Sequence, residues 1–345
     1  MKYNLVDLDT ALVSIEEAMF SVGLKIENFH AVLDAYQEPH RFYHNLDHLR
    51  DLGNKILGLK DVLYEEMELL WIAAAYHDFV YDPMNSNGLN EDLSIKRFER
   101  DLCKCSSNIS AEKRNQVKEI IQGTAKRTKP ESKLARIFWN FDNQILTESF
   151  DVLLDYEKKI FLEYQCFNYS QYGPRRSEFL RSEFERTENL DLLALSKYVK
   201  YRKPKVGIYP GSFNPFHKGH LNILNKAERI FDKIILVKAN NPEKDNYEAS
   251  EIPTEIKNRE IIEWDGLTTD LITKLSDQCE ITLIRGLRNG KDLDYEVNQL
   301  RFMEEMKPDL NVCLIQCDKE FEHISSSAIR NIRKFSQEEA KKYLI

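Results

Sequence analysis

The stretch GIYPGSFNPFHKGHL (207–221) combines side chains that suit phosphate chemistry. Gly211 lets the backbone come close to a ligand, and Ser212 adds a hydroxyl group. His217 and His220, three positions apart, can donate imidazole N–H bonds to phosphoryl oxygens. If a helix begins here, its unpaired N–H groups and partial positive charge also favour an anion. The stretch therefore predicts a phosphate site, with a helix start carrying two solvated histidines as the alternative.

Two later stretches carry the same chemistry. HISSSAIR (323–330) places three serines before an amphipathic run, where their hydroxyl groups can cap a helix and bind an anion. IRGLRNGKDLDYE (284–296) places Arg285 and Arg288 directly after an apolar run. Taken singly, these features are more often a helix cap and surface salt bridges. Because each stretch follows a predicted strand, the three together predict a triphosphate site at one edge of a sheet.

The apolar periodicity changes near residue 200 and divides the chain in two. From Leu5 to about Leu195, apolar residues recur every three or four positions, which predicts an all-α domain. Beyond YVKYRKPK (198–205), the apolar runs VGIYP, KIILVKA, ITLIRG and NVCLIQC alternate with helical stretches near 219–231, 254–264, 292–306 and 326–343. Alternating strands and helices predict a parallel sheet covered on both faces. We expect an all-α domain over 1–201 and an α/β Rossmann-like domain over 202–345.

Composition excludes several classes of protein. A chain of 345 residues with 42% hydrophobic residues is long enough for two globular domains. A net charge of -8 attracts neither nucleic acid nor an anionic membrane, and neither partner is expected. No apolar run approaches the roughly 18 residues of a membrane span, and the first residues do not resemble a signal peptide. The six cysteines lack a C-x-x-C pair, which predicts free thiols and a cytoplasmic location.

The three phosphate-type stretches also carry a family resemblance. GSFNPFHKGH with ISSSAIR resembles the nucleotidylyltransferase superfamily, and RGLRNGKDLDYE is similar to phosphopantetheine adenylyltransferases in particular. The resemblance covers residues 205 to about 333. It implies transfer of AMP from ATP to 4'-phosphopantetheine, with Mg2+ as the cofactor and dephospho-coenzyme A and pyrophosphate as products. Assembly of the chain into a homo-oligomer is also expected.

The resemblance implies roles for individual residues. Ser212, Phe213 and His220 would meet the ATP phosphates, with His217 beside them. Lys244 would bridge both substrates, Arg285 would bind the pantetheine phosphate, and Thr268 would line the pantetheine arm. The nucleotide would be held by Gly286, Leu287, Arg288, Glu296, Phe321, Ile324, Ser325, Ser326 and Ser327.

Catalysis would rest on three of these residues, His220, Lys244 and Arg288. Attack of a substrate phosphate on the α-phosphorus needs no covalent enzyme group. It needs two anions held in line and the growing charge neutralised. His220, at the start of a helix, would act as a hydrogen-bond donor rather than as a base.

Two residues depart from the phosphopantetheine pattern. His217 and Asn214 stand where these enzymes generally have Thr and Asp, and FNPFHKGH is more similar to nicotinate or nicotinamide mononucleotide adenylyltransferases. A mononucleotide acceptor is therefore the alternative, although RGLR with its acidic tail favours phosphopantetheine. A third reading is a nucleotide sensor without turnover, which the complete set of His220, Lys244 and Arg288 disfavours.

The first half carries a second set of chemical residues. In FYHNLDHLRDLGNKI (42–56), Asn45 can cap a helix whose inward face then carries His48. His77 and Asp78 end an apolar helix, and Asp142 follows the apolar run IFWNF. This mixed nitrogen and oxygen set suits a divalent metal such as Mn2+, Fe2+, Zn2+ or Mg2+. The alternative is that these histidines are hydrogen-bonded core residues.

The order H…HD…D resembles the HD phosphohydrolase superfamily. YHNLDH, YHDFVYD, a following Asn-Glu pair and NFDNQIL are more similar to a group of predicted HD-type hydrolases. The resemblance implies a metal-activated water that attacks a phosphate ester, with Tyr43, His44, Glu91 and Thr124 around the metal ligands. GTAKRT (123–128) lacks the further histidine of that group, so a second metal is not expected. A structural or regulatory domain without hydrolysis is the alternative.

Overall fold

The computed structural model describes residues 10–85, 88–107, 109–126, 128–239, 253 and 256–345. The chain divides into two compact units. We call the unit that runs up to Glu163 and includes Ser182–Leu195 the N-terminal unit. Tyr164–Arg181 and Ser196–Ile345 form the C-terminal unit. The domain boundary at residues 201 and 202 stays a prediction, because the two units interleave along the chain.

The N-terminal unit is helical, which confirms the helical character predicted for this half. Its helices are α1 (Thr10–Ser21), α2 (Ile26–Ala35), α3 (Leu46–Leu57), α4 (Tyr64–Tyr76), α5 (Leu89–Lys104), α6 (Ala111–Thr124), α7 (Lys133–Asp142) and α8 (Phe150–Glu163). A short 3-10 turn follows α7 at Gln144–Thr147. The next helices along the chain are α9 (Tyr169–Thr187) and α10 (Leu190–Tyr201). None of the helices that the structure describes has the length and apolarity needed to cross a membrane.

Helix α4 is the centre of the N-terminal core. All its residues from Leu69 to Tyr76 are buried, as expected for a helix that is apolar on every side. Helices α1, α3 and α6 pack against it. At the α1–α3 contact, a side chain on Gly53 would come within 2.9 Å of the Cβ of Ala11. The central helix ends at Tyr76, so the residues that follow it emerge from the core at a fixed place.

The C-terminal unit contains a five-stranded parallel sheet with the order β3-β2-β1-β4-β5. The strands are β1 (Lys205–Gly211), β2 (Lys233–Ala239), β3 (Glu260–Trp264), β4 (Glu280–Leu287) and β5 (Val312–Gln316). The helices are α11 (Lys218–Ala227), α12 (Thr268–Leu275), α13 (Gly290–Met306), α14 (Ser326–Arg333) and α15 (Gln337–Lys341). The parallel, Rossmann-like architecture predicted for this half is confirmed. The strand order reverses between β1 and β4, which is where such sheets bind ligands.

Two predicted helices of the C-terminal unit are wrong in detail. Residues 260–264, assigned to a helix over 254–264, form the edge strand β3, which pairs with β2. The apolar residues there make a short run in which periodicity does not separate strand from helix, and the adjacent Ile261 and Ile262 favour a strand. The helix predicted over 326–343 is two helices, because the Ser336 side chain accepts the N–H of Glu339 and so caps α15. Helix α12 was not predicted.

Candidate functional site

A cavity of about 360 Å³ lies in the C-terminal unit at the carboxyl ends of β1 and β4. The end of β1, the first turn of α11, the end of β4 and the start of α14 all contribute to its wall. His220, Arg288 and Ser325 therefore face one space, although up to 105 residues of chain separate them. The three phosphate-type stretches of the sequence are brought together, as the strand order requires.

Most of the residues predicted for the nucleotide site line this cavity. They are Phe213, His217, His220, Arg285, Gly286, Leu287, Arg288, Glu296, Phe321, Ile324, Ser325 and Ser326. Ser212, Thr268 and Ser327 are not among the lining residues. Thr268 begins α12, which follows the edge strand β3. Lys244 lies outside the residues that the structure describes.

His217 serves as the N-cap of α11. Its Nδ1 atom accepts the backbone N–H of Gly219 at 3.1 Å and that of His220 at 3.3 Å. These bonds satisfy two of the N–H groups that the start of a helix leaves unpaired. Burial, with a smaller contribution from Arg288, lowers the pKa of His217 to about 4. His217 is therefore a neutral capping residue at pH 7, a role that Thr fills equally well.

His220 is a neutral imidazole, and one of its ring nitrogens accepts a hydrogen bond. Its Nδ1 lies 3.3 Å from the backbone N–H of His217 and accepts it, which leaves the ring proton on Nε2. The rings of Phe213 and Phe216 lie with centroids 5.1 and 5.3 Å from that of His220. Burial, with smaller contributions from His217 and Arg288, holds the pKa of His220 well below its usual range. The residue can donate an Nε2–H bond to an anion.

The guanidinium of Arg288 is held by Asp292, four residues further along the chain. Arg288 Nε and Nη2 donate to the two Asp292 carboxylate oxygens at 2.8 and 2.9 Å, and its backbone N–H donates to the same carboxylate at 3.0 Å. Arg285 lies close to Glu296, whose Oε2 is 2.9 Å from Arg285 Nε, but this ion pair lacks the hydrogen-bond geometry of Arg288 and Asp292. Each cation is thus positioned before a ligand arrives, which lowers the cost of ordering it on binding.

The start of α14 is fastened to the turn that follows β1. Ser325 caps the helix by accepting the N–H of Ala328 at 3.2 Å. The Ser326 hydroxyl donates to the carbonyl oxygen of Pro215 at 3.1 Å. Arg330 donates to the carbonyl oxygen of Asn214. These bonds fix two of the ligand-facing segments relative to each other.

Two backbone positions show why the cavity needs particular residues. A side chain on Gly286 would come within 3.0 Å of Ile223, so glycine allows α11 to lie close to β4. Phe213 has φ of 43°, in the left-handed region that non-glycine residues seldom adopt. This conformation places its ring between the end of β1 and His220, 5.3 Å from the ring of Tyr209.

In the N-terminal unit, the four residues predicted as metal ligands meet at one place. The Nε2 atoms of His48 and His77 lie 3.3 Å apart. Asp78 Oδ2 is 3.0 Å from Nε2 of His77, and Asp142 Oδ1 is 3.3 Å from Nε2 of His48. The ligand atoms of His48, His77 and Asp78 all lie within 4.8 Å of one another. We call these four residues the HD cluster.

The surroundings orient the HD cluster. Asn45 caps α3 through its side-chain oxygen, which turns His48 inward as the sequence predicts. Nδ1 of His77 lies 2.9 Å from the carbonyl oxygen of Ala74, so the Nδ1–H donates there and Nε2 is free to act as a ligand. The hydroxyl of Tyr36 lies 3.1 Å from the same Nδ1. This is the arrangement that a metal-binding histidine requires.

The electrostatics of the HD cluster favour a cation. Burial lowers the pKa of His77, but Asp78 and Asp142 outweigh it and raise the pKa to about 9. Burial raises the pKa of Asp78, but the charge and hydrogen bond of His77 outweigh it and hold the pKa far below its usual range. Two carboxylates and two imidazole nitrogens around one point form a donor set that fits a divalent ion.

The carboxylate of Glu163 holds the segment that precedes α3. Glu163 Oε1 accepts the backbone N–H groups of Phe42, Tyr43 and His44 at 2.9, 2.7 and 2.9 Å. Glu163 Oε2 lies 2.7 Å from Nδ1 of His44 and accepts the Tyr81 hydroxyl at 2.7 Å. Burial alone would raise the pKa of Glu163, but these partners lower it to about 2.

The other residues predicted around the cluster differ in placement. The ring centroid of Tyr43 is 5.2 Å from that of His48. Burial, followed by the cluster carboxylates, raises the pKa of Glu91. The Thr124 hydroxyl instead donates to a carbonyl oxygen of its own helix at 2.8 Å. The ring centroid of His44 is 5.7 Å from that of His48, so Tyr43, His44 and Glu91 are the three that the cluster can influence.

Sequence reasoning did not assign the roles of Asp292, Glu163 and Tyr36. The spacing of four residues between Arg288 and Asp292 is a signal that could have predicted their ion pair. No comparable signal exists for Glu163, which is 119 positions from His44. Tyr36 resembles many other tyrosines of the helical half.

Comparison with known proteins identifies the C-terminal unit. Residues 208–332 match a family model described as cytidylyltransferase-like, so the fold and cavity define a nucleotidyltransferase-like domain. The phosphopantetheine adenylyltransferase of Mycoplasma capricolum subsp. capricolum is 39% identical over 136 residues, which are 37% of this chain and 96% of the relative. Through this region, the chain belongs to the phosphopantetheine adenylyltransferase family.

Two further relatives of the same name show similar matches. That of Clostridium botulinum strain Alaska E43 is 30% identical over 139 residues, 38% of this chain and 86% of the relative. That of Streptococcus pneumoniae strain CGSP14 is 32% identical over 147 residues, 39% of this chain and 86% of the relative. The match to the family model begins at residue 208, within the C-terminal unit, so the HD resemblance of the N-terminal unit stays a prediction.

Proposed function

We propose that the C-terminal unit transfers an adenylyl group from ATP to 4'-phosphopantetheine. The observation that carries this proposal is the meeting of three anion-binding segments at the switch point of the sheet, around His220 and Arg288. The relatives named phosphopantetheine adenylyltransferase supply the acceptor. Magnesium bound with ATP would neutralise part of the phosphate charge.

In the proposed reaction, an oxygen of the 4'-phosphate attacks the α-phosphorus of ATP. The bond between the α-phosphorus and the bridging oxygen breaks, and pyrophosphate leaves. His220 donates its Nε2–H to the oxygens that gain charge, and Arg288 balances the departing phosphates. By their positions in the family pattern, Lys244 bridges the two substrates and Arg285 binds the acceptor phosphate. The proposed substrate contacts of Ser212, Thr268 and Ser327 are supported by the family resemblance alone.

The geometry of His217 removes one argument for a mononucleotide acceptor. His217 departs from the Thr typical of the family, but its Nδ1 is occupied by two backbone N–H groups of α11. Thr is itself a good N-cap residue, so His217 and Thr perform the same local task. The departure at this position is thus explained by helix capping without a change of acceptor.

An acceptor panel tests the proposal. The purified chain with ATP and Mg2+ would receive 4'-phosphopantetheine, nicotinamide mononucleotide or nicotinate mononucleotide, and pyrophosphate release would be measured. We expect release with 4'-phosphopantetheine only. Release with a mononucleotide only would replace the acceptor and keep adenylyl transfer. ATP binding without release in any arm would favour the sensor.

We propose, as a second function, that the N-terminal unit is a metal-dependent phosphohydrolase. The observation that carries it is the HD cluster, in which His48, His77, Asp78 and Asp142 direct two nitrogens and two oxygens to one point. A bound divalent ion would lower the pKa of a water molecule and so provide the nucleophile for a phosphate ester. Asp78 and Asp142 are partly exposed, which leaves the cluster open to a ligand.

Metal analysis separates this function from a structural or regulatory role. The purified chain and its Asp78→Ala variant would be loaded with Mn2+, dialysed and measured for bound metal. We expect one ion per chain in the parent and a large loss in the variant, with unchanged pyrophosphate release by the C-terminal unit. A parent chain without stoichiometric metal would overturn the hydrolase.

We also propose that copies of the chain associate. Helix α13 leaves Tyr295, Phe302 and Met306 exposed, which is unusual for aromatic and large apolar side chains in a monomer. Sedimentation equilibrium would give the mass in solution. A strictly monomeric mass at micromolar concentration would contradict this proposal.

A further inference from the structure

A second cavity, of about 400 Å³, lies beside the HD cluster in the N-terminal unit. It is lined by His48, Asp51 and Lys55, which share one face of α3, and by Gln144 and Ile145, which follow Asp142 in the chain. Helix α3, which carries His48, and the 3-10 turn that follows Asp142 therefore both contribute to the walls of this cavity. If the phosphate group of an ester bound at the HD cluster, the rest of the ester would lie in this cavity. The cavity volume is in the range of ligand pockets.

Four of the residues that line the cavity are aromatic or aliphatic. Phe42 and Tyr43 belong to the segment that precedes α3. Ile145 precedes the start of α8, and Val152 follows it. The Tyr43 ring is itself packed edge-on to Tyr156, with centroids 4.6 Å apart. Side chains of this kind can cover the organic part of a ligand.

The charges of the cavity disfavour a polyanion. Its lining contains three carboxylates, those of Asp47, Asp51 and Glu148, but only two ammonium groups. Both ammonium groups are already paired, Lys55 with Asp51 at 2.6 Å and Lys159 with the carboxylate of Asp155 at 2.9 Å.

The third carboxylate, that of Glu148, stands apart from these pairs. Glu148 makes no ion pair within the part of the chain that the structure describes. The uncompensated charge in the cavity is therefore negative.

We propose that this cavity holds the alcohol part of a phosphomonoester, and that this alcohol part is uncharged or cationic rather than phosphorylated. The inference rests on the proposed hydrolase and specifies its substrate class. Hydrolysis consumes one water, breaks one P–O ester bond and releases inorganic phosphate and the alcohol. The class excludes ATP and other substrates whose leaving part carries phosphate. It includes 4'-phosphopantetheine, whose alcohol part is uncharged.

Calorimetric binding of non-hydrolysable phosphonates tests the charge of the cavity without turnover. The chain with Mn2+ would be titrated with phenylphosphonates whose para substituent is trimethylammonium, hydrogen or carboxylate. We expect the cationic ligand to bind most tightly and the carboxylate ligand to bind about fivefold more weakly than the unsubstituted one. Glu148→Lys should tighten binding of the carboxylate ligand about fivefold or more. The control Asp61→Lys makes the same charge change at an exposed residue away from the cavity, and should leave the order unchanged.

Each outcome decides the inference. Equal or tighter binding of the carboxylate ligand by the parent chain, or equal effects of Glu148→Lys and Asp61→Lys, would overturn the role of the cavity. The matching aryl phosphates would be tested for hydrolysis in the parent chain and in Asp78→Ala. Hydrolysis that is lost in Asp78→Ala, but that favours the carboxylate substrate over the cationic one, would overturn the substrate class and keep the hydrolase. The expected binding order without any hydrolysis would overturn the hydrolase and leave the cavity as a ligand site.

Discussion

The two units each bury histidines, but the surroundings give these histidines opposite charge preferences. In the C-terminal unit, burial and the guanidinium of Arg288 lower the pKa of both His217 and His220. In the N-terminal unit, Asp78 and Asp142 overcome burial and raise the pKa of His77 to about 9. His217 and His220 stay neutral, whereas His77 lies among carboxylates.

This difference indicates which ligand each site accepts. A neutral imidazole can donate a hydrogen bond to an anion, whereas Asp292 and Glu296 are paired with the two arginines of the cavity. A histidine whose pKa is raised by two carboxylates lies in a site with excess negative charge, which a divalent cation would compensate. The same residue type therefore supports phosphate transfer in one unit and cation binding in the other.

The largest effect is expected from a substitution in the anion site of the C-terminal unit. Replacing His220 with Ala removes the Nε2–H donor, and turnover measured by pyrophosphate release should fall about 10²- to 10³-fold. His220→Asn keeps a side-chain donor and should lose less. Circular dichroism would establish that both variants are folded. A loss below tenfold in His220→Ala would contradict the donor role.

The second prediction sharpens the cation site. Tyr36→Phe removes the hydroxyl next to Nδ1 of His77, and the affinity for Mn2+ should fall about tenfold because the orientation of the imidazole is less well fixed. The control Tyr64→Phe alters an exposed tyrosine of α4 and should leave the affinity unchanged. Equal affinities in all three proteins would show that Tyr36 does not orient His77.

The third prediction compares two replacements of His217. His217→Ala removes the N-cap of α11 and should lower the free energy of unfolding by about 1 kcal/mol, whereas His217→Thr should be nearly neutral at pH 7. Urea denaturation measures both. Pyrophosphate release by His217→Thr should stay close to that of the parent. A large loss of release in the Thr variant would give the imidazole a direct role in the reaction.

The fourth prediction concerns pH. The pKa of His217 is about 4 in the folded chain, below the ordinary value of 6.5, so the unfolded chain binds more protons between these values. This histidine therefore stabilises the fold fully above pH 6.5, and the contribution is lost as pH falls towards 4. Between pH 7 and about pH 5.5 the loss should be about 1 kcal/mol. Hydrogen exchange of the α11 amides should show this loss of stability in the parent and a smaller loss in His217→Thr. Identical pH profiles of the two proteins would contradict the prediction.

Much of the fold follows from periodicity, and the exceptions have local causes. Long apolar patterns such as that of α4 predict helices, and β1, β2 and β4 are continuous apolar runs typical of buried parallel strands. The edge strand β3 is short and half-buried, so its pattern is weaker and was taken for a helix. Its pairing with β2 is a long-range interaction that no local pattern contains.

The candidate sites show the same division between local and long-range information. The phosphate-type stretches could be placed at one sheet edge because parallel strands share a direction. The capping role of His217 needed coordinates, because its spacing from His220 is equally compatible with two ligand-facing imidazoles. Glu163 could not be predicted, since its bonds to Phe42, Tyr43 and His44 span about 120 residues.

A competition assay tests the central claim most directly. The chain would be given limiting ATP with equal concentrations of 4'-phosphopantetheine and nicotinamide mononucleotide in one vessel, and the adenylylated products would be separated by mass. The account predicts dephospho-coenzyme A as the dominant product in the parent chain and its loss in His220→Ala. A dominant dinucleotide made from the mononucleotide, or a product that persists in His220→Ala, would contradict it.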